Sequence, residues 1–257
     1  MIKKFTNETL LAKYLAKEIL EKLKINKKLV LGCPGGRSLK KTYYYMGILS
    51  YKFNINLNNL IIIMMDEYVV KKNGKYKLVD KKSHFSCVRF SSQNIKKSLN
   101  YKKNTKNKLI SKNILFPNNK KPKKFYMQIK KLGGIDIFLL ASGSSDGHVA
   151  FNNKFSNLKQ STHITKLSKK TRNDNMKTFP NFKKLSEVPK YGLTVGLKTI
   201  YSLSKSAILV LAGKDKYNAF NKIYSLNKYS KEWPASIIFK CRNFKIYTEN
   251  KVFEQHK

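Results

Sequence analysis

Leu60-Ile61-Ile62-Ile63-Met64-Met65 contains no polar residue and stops at Asp66-Glu67-Tyr68. A run that short and that continuous suits a strand buried on both faces, as in a parallel sheet covered by helices. A half-exposed strand would alternate instead. The same form recurs over Lys28 to Gly32, Gly134 to Ser142 and Ser206 to Ala212, each time running into a glycine-containing turn. Between these runs the period changes. Leu10, Leu11, Tyr14, Leu15, Ile19, Leu20 and Leu23 fall at helical spacing and predict an amphipathic helix over Asn7 to Lys24. A second helix is expected through Tyr45 and Leu49, and late strands over Ser236 to Phe239 and Phe244 to Tyr247. Lys71 to Lys124, rich in lysine and asparagine, reads as loop, short helix and excursion. Strands alternating with helices predict an α/β fold, a Rossmann-like open, mostly parallel sheet with helices on both faces. No internal repeat or long linker divides the chain, so residues 1–257 are expected to form a single domain. In such sheets ligands gather outside the carboxyl ends of the strands, so the turns that end these runs are where chemistry is expected.

Charge needs interpretation before those turns can be read. The net charge is +40, but only four of the 54 basic residues are arginine: Arg37, Arg89, Arg172 and Arg242. The lysines are spread along the whole chain, and asparagine, isoleucine, tyrosine and phenylalanine are abundant. All of these have AT-rich codons. A dedicated nucleic-acid binder gathers its cations, with arginine at base-reading positions. Compositional drift is therefore the reading taken, and nucleic acid is not the expected partner. A field of that sign still favours phosphorylated substrates. No window is apolar over the length a membrane span needs, and no apolar segment of signal-peptide form follows Met1. Cys33, Cys87 and Cys241 are too few and scattered for a disulfide framework, which points to reduced thiols and the cytoplasm. A homo-oligomer is allowed.

Acids are scarce, 14 in all, so an acid in a turn after a buried strand stands out. Asp66, with Glu67, ends the Leu60–Met65 run, where partial desolvation can tune a carboxylate to act as a base. Asp146 stands two residues before His148 in a glycine–serine turn and can orient the imidazole or share its proton. Gly35 and Gly36 let backbone amides approach an anion, and Arg37 and Ser38 can add direct contacts. Lys216, after Gly213, can hold a phosphate as a point charge. Each feature alone admits a plainer reading: a turn, a helix cap, a structural histidine, one lysine among many. His84 and Cys87 are three apart, but two ligands do not make a metal site. No metal and no cofactor are expected.

As an ordered set these segments resemble the glucosamine-6-phosphate deaminase family. The matching pieces are Leu31-Gly32-Cys33-Pro34-Gly35-Gly36, Met65-Asp66-Glu67-Tyr68-Val69 and Asp146-Gly147-His148-Val149-Ala150-Phe151-Asn152. Val188 to Gly196 and Gly213-Lys214-Asp215-Lys216 follow in the family's order. The related 6-phosphogluconolactonases usually continue Asp-Gly-His with Thr-Ala-Ser and carry Asp-Glu-Arg where this chain has Asp66-Glu67-Tyr68, so the resemblance leans toward the deaminase side. It implies that Asp66 is the base moving a proton between C1 and C2 of an open-chain sugar. It also implies that His148 assists ring opening, with Asp146 as its orienting partner. Gly36, Ser38 and Lys216 would hold the 6-phosphate, and Lys177 falls where the family places a phosphate-binding arginine. One departure is pointed. The deaminases follow Ala-Phe-Asn with a glutamate that completes the ring-opening relay, and here that position is Asn153, which cannot accept a proton at neutral pH. The expected function is deamination and isomerisation of an amino-sugar 6-phosphate. The alternatives are a lactonase or isomerase of another sugar phosphate, and a catalytically silent phosphosugar- or nucleic-acid-binding protein.

Overall fold

The computed structural model describes residues 1–26 and 28–254. In chain order the strands are β1 (Ile2–Phe5), β2 (Leu29–Cys33), β3 (Leu60–Met64), β4 (Asp66–Lys72), β5 (Lys75–Leu78), β6 (Ile114–Leu115), β7 (Ile137–Ala141), β8 (His163–Lys166), β9 (Tyr191–Thr194), β10 (Ser206–Leu211) and β11 (Asn243–Glu249). The α-helices are α1 (Glu8–Asn26), α2 (Lys40–Lys52), α3 (Cys87–Phe90), α4 (Lys97–Leu99), α5 (Pro122–Lys131), α6 (Lys169–Thr178), α7 (Leu197–Leu203), α8 (Tyr217–Leu226) and α9 (Asn250–Glu254). No helix among the described residues is long and apolar enough to cross a membrane.

Seven strands form one sheet in the order β1-β11-β10-β7-β2-β3-β6, and every pairing in it is parallel. Its strands feed two separate cores because successive side chains point to opposite faces. Ile137 and Leu139 of β7 join Leu15 and Ile19 of α1 on one face. Phe138 and Leu140 join Ile200 of α7 and Phe220 of α8 on the other. That two-sided burial is why the strand sequences read as unbroken apolar runs. From β2 the chain builds outward through β3 and β6 on one side. From β7, its neighbour, it builds outward through β10 and β11 on the other. The strand order thus reverses between β2 and β7, and the turns after those two strands flank a topological switch point, where open α/β sheets bind ligands.

The sequence reading missed a second sheet. Four antiparallel strands run in the order β5-β4-β9-β8. The Leu60–Met65 run does not end in a turn: the chain crosses from one sheet to the other at Met65, whose carbonyl accepts from the Val195 amide at 2.8 Å, and continues as β4. Asp66 therefore sits on the seam between the sheets. Within the expected excursion, Lys72 pairs with Lys75 across Asn73-Gly74, both in the left-handed region at φ 49 and 73. That is a two-residue hairpin of the kind an Asn-Gly pair favours. The strand expected over Ser236 to Phe239 is instead a 3-10 helix, Pro234–Lys240, with proline at its start. A short apolar run does not by itself distinguish strand from buried helix, and proline suits a first helical position.

Candidate functional site

β2 delivers Pro34, Gly35, Gly36, Arg37 and Ser38 to one cleft, and β7 delivers Ser142, Gly143, Ser144 and His148. Asp66 from the seam, Lys216 from before α8 and one face of α6 complete its walls, which enclose about 730 Å³ including the open mouth. Tyr68, Phe151 and Phe179 form an aromatic side to it, with the Tyr68 ring 5.0 Å from Phe151 and 6.4 Å from Phe179.

Asp66 is buried at 7% exposure, and burial pushes its carboxyl up to about 7. The Thr194 hydroxyl, donating to Oδ1 at 2.6 Å, and the nearby His148 restrain that rise, while Glu67 adds to it. Glu67, also buried, points the other way. It accepts from the amides of Tyr68, Cys87 and Val88 and from the Ser86 hydroxyl, which ties β4 to the start of α3. The adjacent acids therefore differ in setting: Glu67 is saturated with structural bonds, and Asp66 lines the cleft.

His148 stands in a loop closed by the Gly143 amide donating to the His148 carbonyl at 2.7 Å. Its Nδ1 lies 2.6 Å from Asp146 Oδ1. Burial works to raise the Asp146 carboxyl, but the bond and charge of His148 and the hydroxyls of Ser168 and Thr171 outweigh it and hold the group well below the usual carboxylate range. Asp146 thus remains an acceptor and fixes the tautomer that leaves Nε2 free for the cleft. Gly147 makes the turn feasible. Its φ is 64, and a Cβ there would come within 2.3 Å of the Trp233 ring. At Gly143 a Cβ would meet His148 Nδ1 at 2.2 Å, so the backbone passes where no side chain fits.

The other end of the cleft is cationic. Lys216 is buried, with Nζ donating to the Ser142 carbonyl at 2.9 Å and to Ser144 Oγ at 3.2 Å. Burial lowers its pKa and Arg37 adds to that, while Asp215 and Asp174 oppose it. Arg37 donates to Asp215 Oδ2 at 2.7 Å, and Ser144 Oγ donates to the same oxygen at 2.8 Å. Gly35, Gly36 and Ser38 line the cleft beside them. Lys177 does not: it is an exposed residue of α6 and is absent from the cleft lining. Asn153 is buried but occupied with its own loop, donating to the Lys166 carbonyl at 3.2 Å and accepting from the Phe155 amide at 3.0 Å.

The α6 face was not anticipated. Asp174, Asn175 and Thr178 line the cleft, and Thr171 bonds Asp146 behind it. Their spacing is a helical stripe, but a polar stripe ordinarily marks a solvated face, so sequence alone had no reason to turn it inward. Asp146, His148 and Asp174 each place one potential ligand atom within 4.8 Å of the others, the geometry a cation could use. Both Asp146 oxygens and Oδ2 of Asp174 already accept hydrogen bonds, which suits a relay better than a metal shell. His84 packs edge-to-face against Phe85 and Phe182 and belongs to no such group among the described residues.

The family of glucosamine-6-phosphate isomerases and 6-phosphogluconolactonases matches residues 6–248. A glucosamine-6-phosphate deaminase of Clostridium acetobutylicum is 32% identical over 231 residues, 89% of this chain and 88% of that one. One from Shouchella clausii is 37% identical over 121 residues, a match spanning 47% of each chain. A solved monomeric glucosamine-6-phosphate deaminase superposes with a TM-score of 0.84 at 23% identity, covering 98% of both chains.

Proposed function

The chain belongs to the glucosamine-6-phosphate isomerase and 6-phosphogluconolactonase family, and on that premise we propose that it converts an amino-sugar 6-phosphate to the ketose 6-phosphate, consuming water and releasing ammonia. The observation that carries this reading is the burial of the Asp66 carboxyl in the cleft wall, which pushes it up to about 7. A base poised near neutrality is what proton abstraction next to a carbonyl needs.

In this reading the phosphate lies at the Gly35–Ser38 turn, neutralised by Arg37 and Lys216. His148, oriented by Asp146, opens the pyranose to the aldehyde. Asp66 then takes the C2 proton while O1 gains a proton given up by the substrate's own ammonium, leaving an enolamine, and Asp66 returns its proton to C1. The product is a C2 imine. Water adds to it, and the C2–N bond breaks with the electron pair leaving on ammonia. A lactonase would use the same cradle and His148, without a proton transfer between C1 and C2. The whole chain acts as one domain here. Its three free, buried cysteines suit a reducing compartment, and the cytoplasm is the proposed setting.

The test is direct: purified protein with glucosamine 6-phosphate, galactosamine 6-phosphate or 6-phosphogluconolactone, following ammonia, ketose phosphate and acid. Stoichiometric ammonia and fructose 6-phosphate from the glucosamine ester is the expected result. Acid release from the lactone with no ammonia from either amino sugar would overturn the reading in favour of a lactonase.

A further inference from the structure

The His148 imidazole stands beside two carboxylates carried by different elements. Asp146, two residues before it, takes Nδ1 at 2.6 Å. Asp174 comes from α6 and places an oxygen within 4.8 Å of both a His148 ring nitrogen and the Asp146 carboxylate. Its position is set by Oδ2 accepting from the Ser144 amide at 3.2 Å and the Ser145 hydroxyl at 3.1 Å. The same helix fixes Asp146 from its first turn, where Ser168 caps α6 and both Ser168 and Thr171 donate to Asp146 Oδ2. Helix α6 therefore grips the His148 loop at two points, one turn apart, and brings a second negative charge to the ring. Asn153 offers no charge, and its amide is spent on the loop from Asn153 to Lys166.

We propose that Asp174 is a positioning residue for ring opening that acts through His148, its charge stabilising the imidazolium formed in that step. The inference rests on the amino-sugar reading above. The step balances within the substrate and one side chain. Nε2 takes the proton of the anomeric hydroxyl, and the O–H pair becomes the second C1–O1 bond. The C1–O5 pair moves to O5, and O5 takes the proton from the imidazolium. A second fixed carboxylate within 4.8 Å of the ring stabilises the reacting state by its charge, as preorganised electrostatics requires. It also sits close enough to Lys216 to offset part of the cradle's positive charge, so its removal is not expected to weaken phosphate binding.

Asp174→Asn separates charge from structure, because the amide oxygen can still accept from Ser144 and Ser145. The expected result on glucosamine 6-phosphate is a fall in kcat of about ten- to a hundredfold with KM changed by less than about threefold. Binding of the open-chain analogue 2-amino-2-deoxyglucitol 6-phosphate and the melting temperature should be unchanged, and Asp174→Glu should recover part of kcat. Wild-type activity together with full kcat in Asp174→Asn would overturn this inference alone. So would equal losses in the Asn and Glu variants accompanied by weaker analogue binding, the mark of a purely structural residue. A wild type that releases no ammonia would overturn the underlying reaction, and this inference with it.

Discussion

At one end of the cleft Arg37 and Lys216 converge beside two glycines. At the other, Asp146 and Asp174 stand beside the His148 imidazole, and Asp66 lines the cleft near it. In a chain with 54 basic residues and 14 acidic ones, the cationic end is what composition alone would produce almost anywhere. The acidic end is not. The difference lies in burial more than in sign. Among the described residues, Lys216 is distinguished from the other lysines because it is buried and its ammonium is held by Ser142 and Ser144. The acids differ from one another for the same reason: burial carries Asp66 up to about 7, whereas donated hydrogen bonds hold Asp146 down. In the proposed reaction one end keeps a fixed charge, and the other lets a proton move.

The hardest test of that contrast is Asp66→Asn. Loss of the base should lower kcat by at least about a hundredfold while phosphosugar affinity stays within about threefold. Retained turnover would remove Asp66 from the role. The wild type should carry the matching pH signature. An acid whose pKa is raised acts as a base only above it, so kcat/KM should rise through about pH 7, falling about tenfold per unit below. Stability has the opposite slope. Between the ordinary carboxylate pKa and about 7 the folded state binds the proton more tightly than the unfolded chain does, so Asp66 withdraws stability as pH rises through that window. Asp66→Asn should therefore melt no lower than wild type at pH 8.

Lys216→Met probes the other end. Losing a charge-assisted contact to phosphate should raise KM roughly ten- to a hundredfold, with a smaller effect on kcat. Added salt should weaken wild-type binding less than the field of an all-lysine surface would suggest, since a buried pair is poorly screened. A variant that loses kcat but keeps KM would place Lys216 with the proton-moving end instead.

How much of this could be read from residues alone follows the same division. The parallel sheet was legible because β3, β7 and β10 are buried on both faces and carry that burial as unbroken apolar runs. The antiparallel sheet escaped because Asp66–Lys72 continues directly from such a run after one residue, so the turn-like Asp66-Glu67 concealed a change of sheet. The hairpin signal at Asn73-Gly74 was present and outweighed by the lysines around it. Asp66, Asp146, His148 and Lys216 stood out because each follows a strand. Asp174 and Thr171 lie within a helix whose polar face turns inward, and only the packing of α6 over the His148 loop reveals it.

The smallest expected effect concerns the residue on which sequence spacing and geometry part company. Resemblance aligns Lys177 with a phosphate-binding cation, but its side chain is exposed on α6 while Asp174, Asn175 and Thr178 face the cleft. With Arg37 and Lys216 already at the Gly35–Ser38 turn, the geometry leaves the phosphate served without it. Lys177→Ala should therefore change KM by less than about threefold, the scale of an exposed charge screened by water. A tenfold rise would mean that α6 brings Lys177 over the bound phosphate when substrate enters. The helix that carries Asp174 would then serve both ends of the cleft, and the division between a fixed-charge end and a proton-moving end would have to be drawn across α6 rather than between elements.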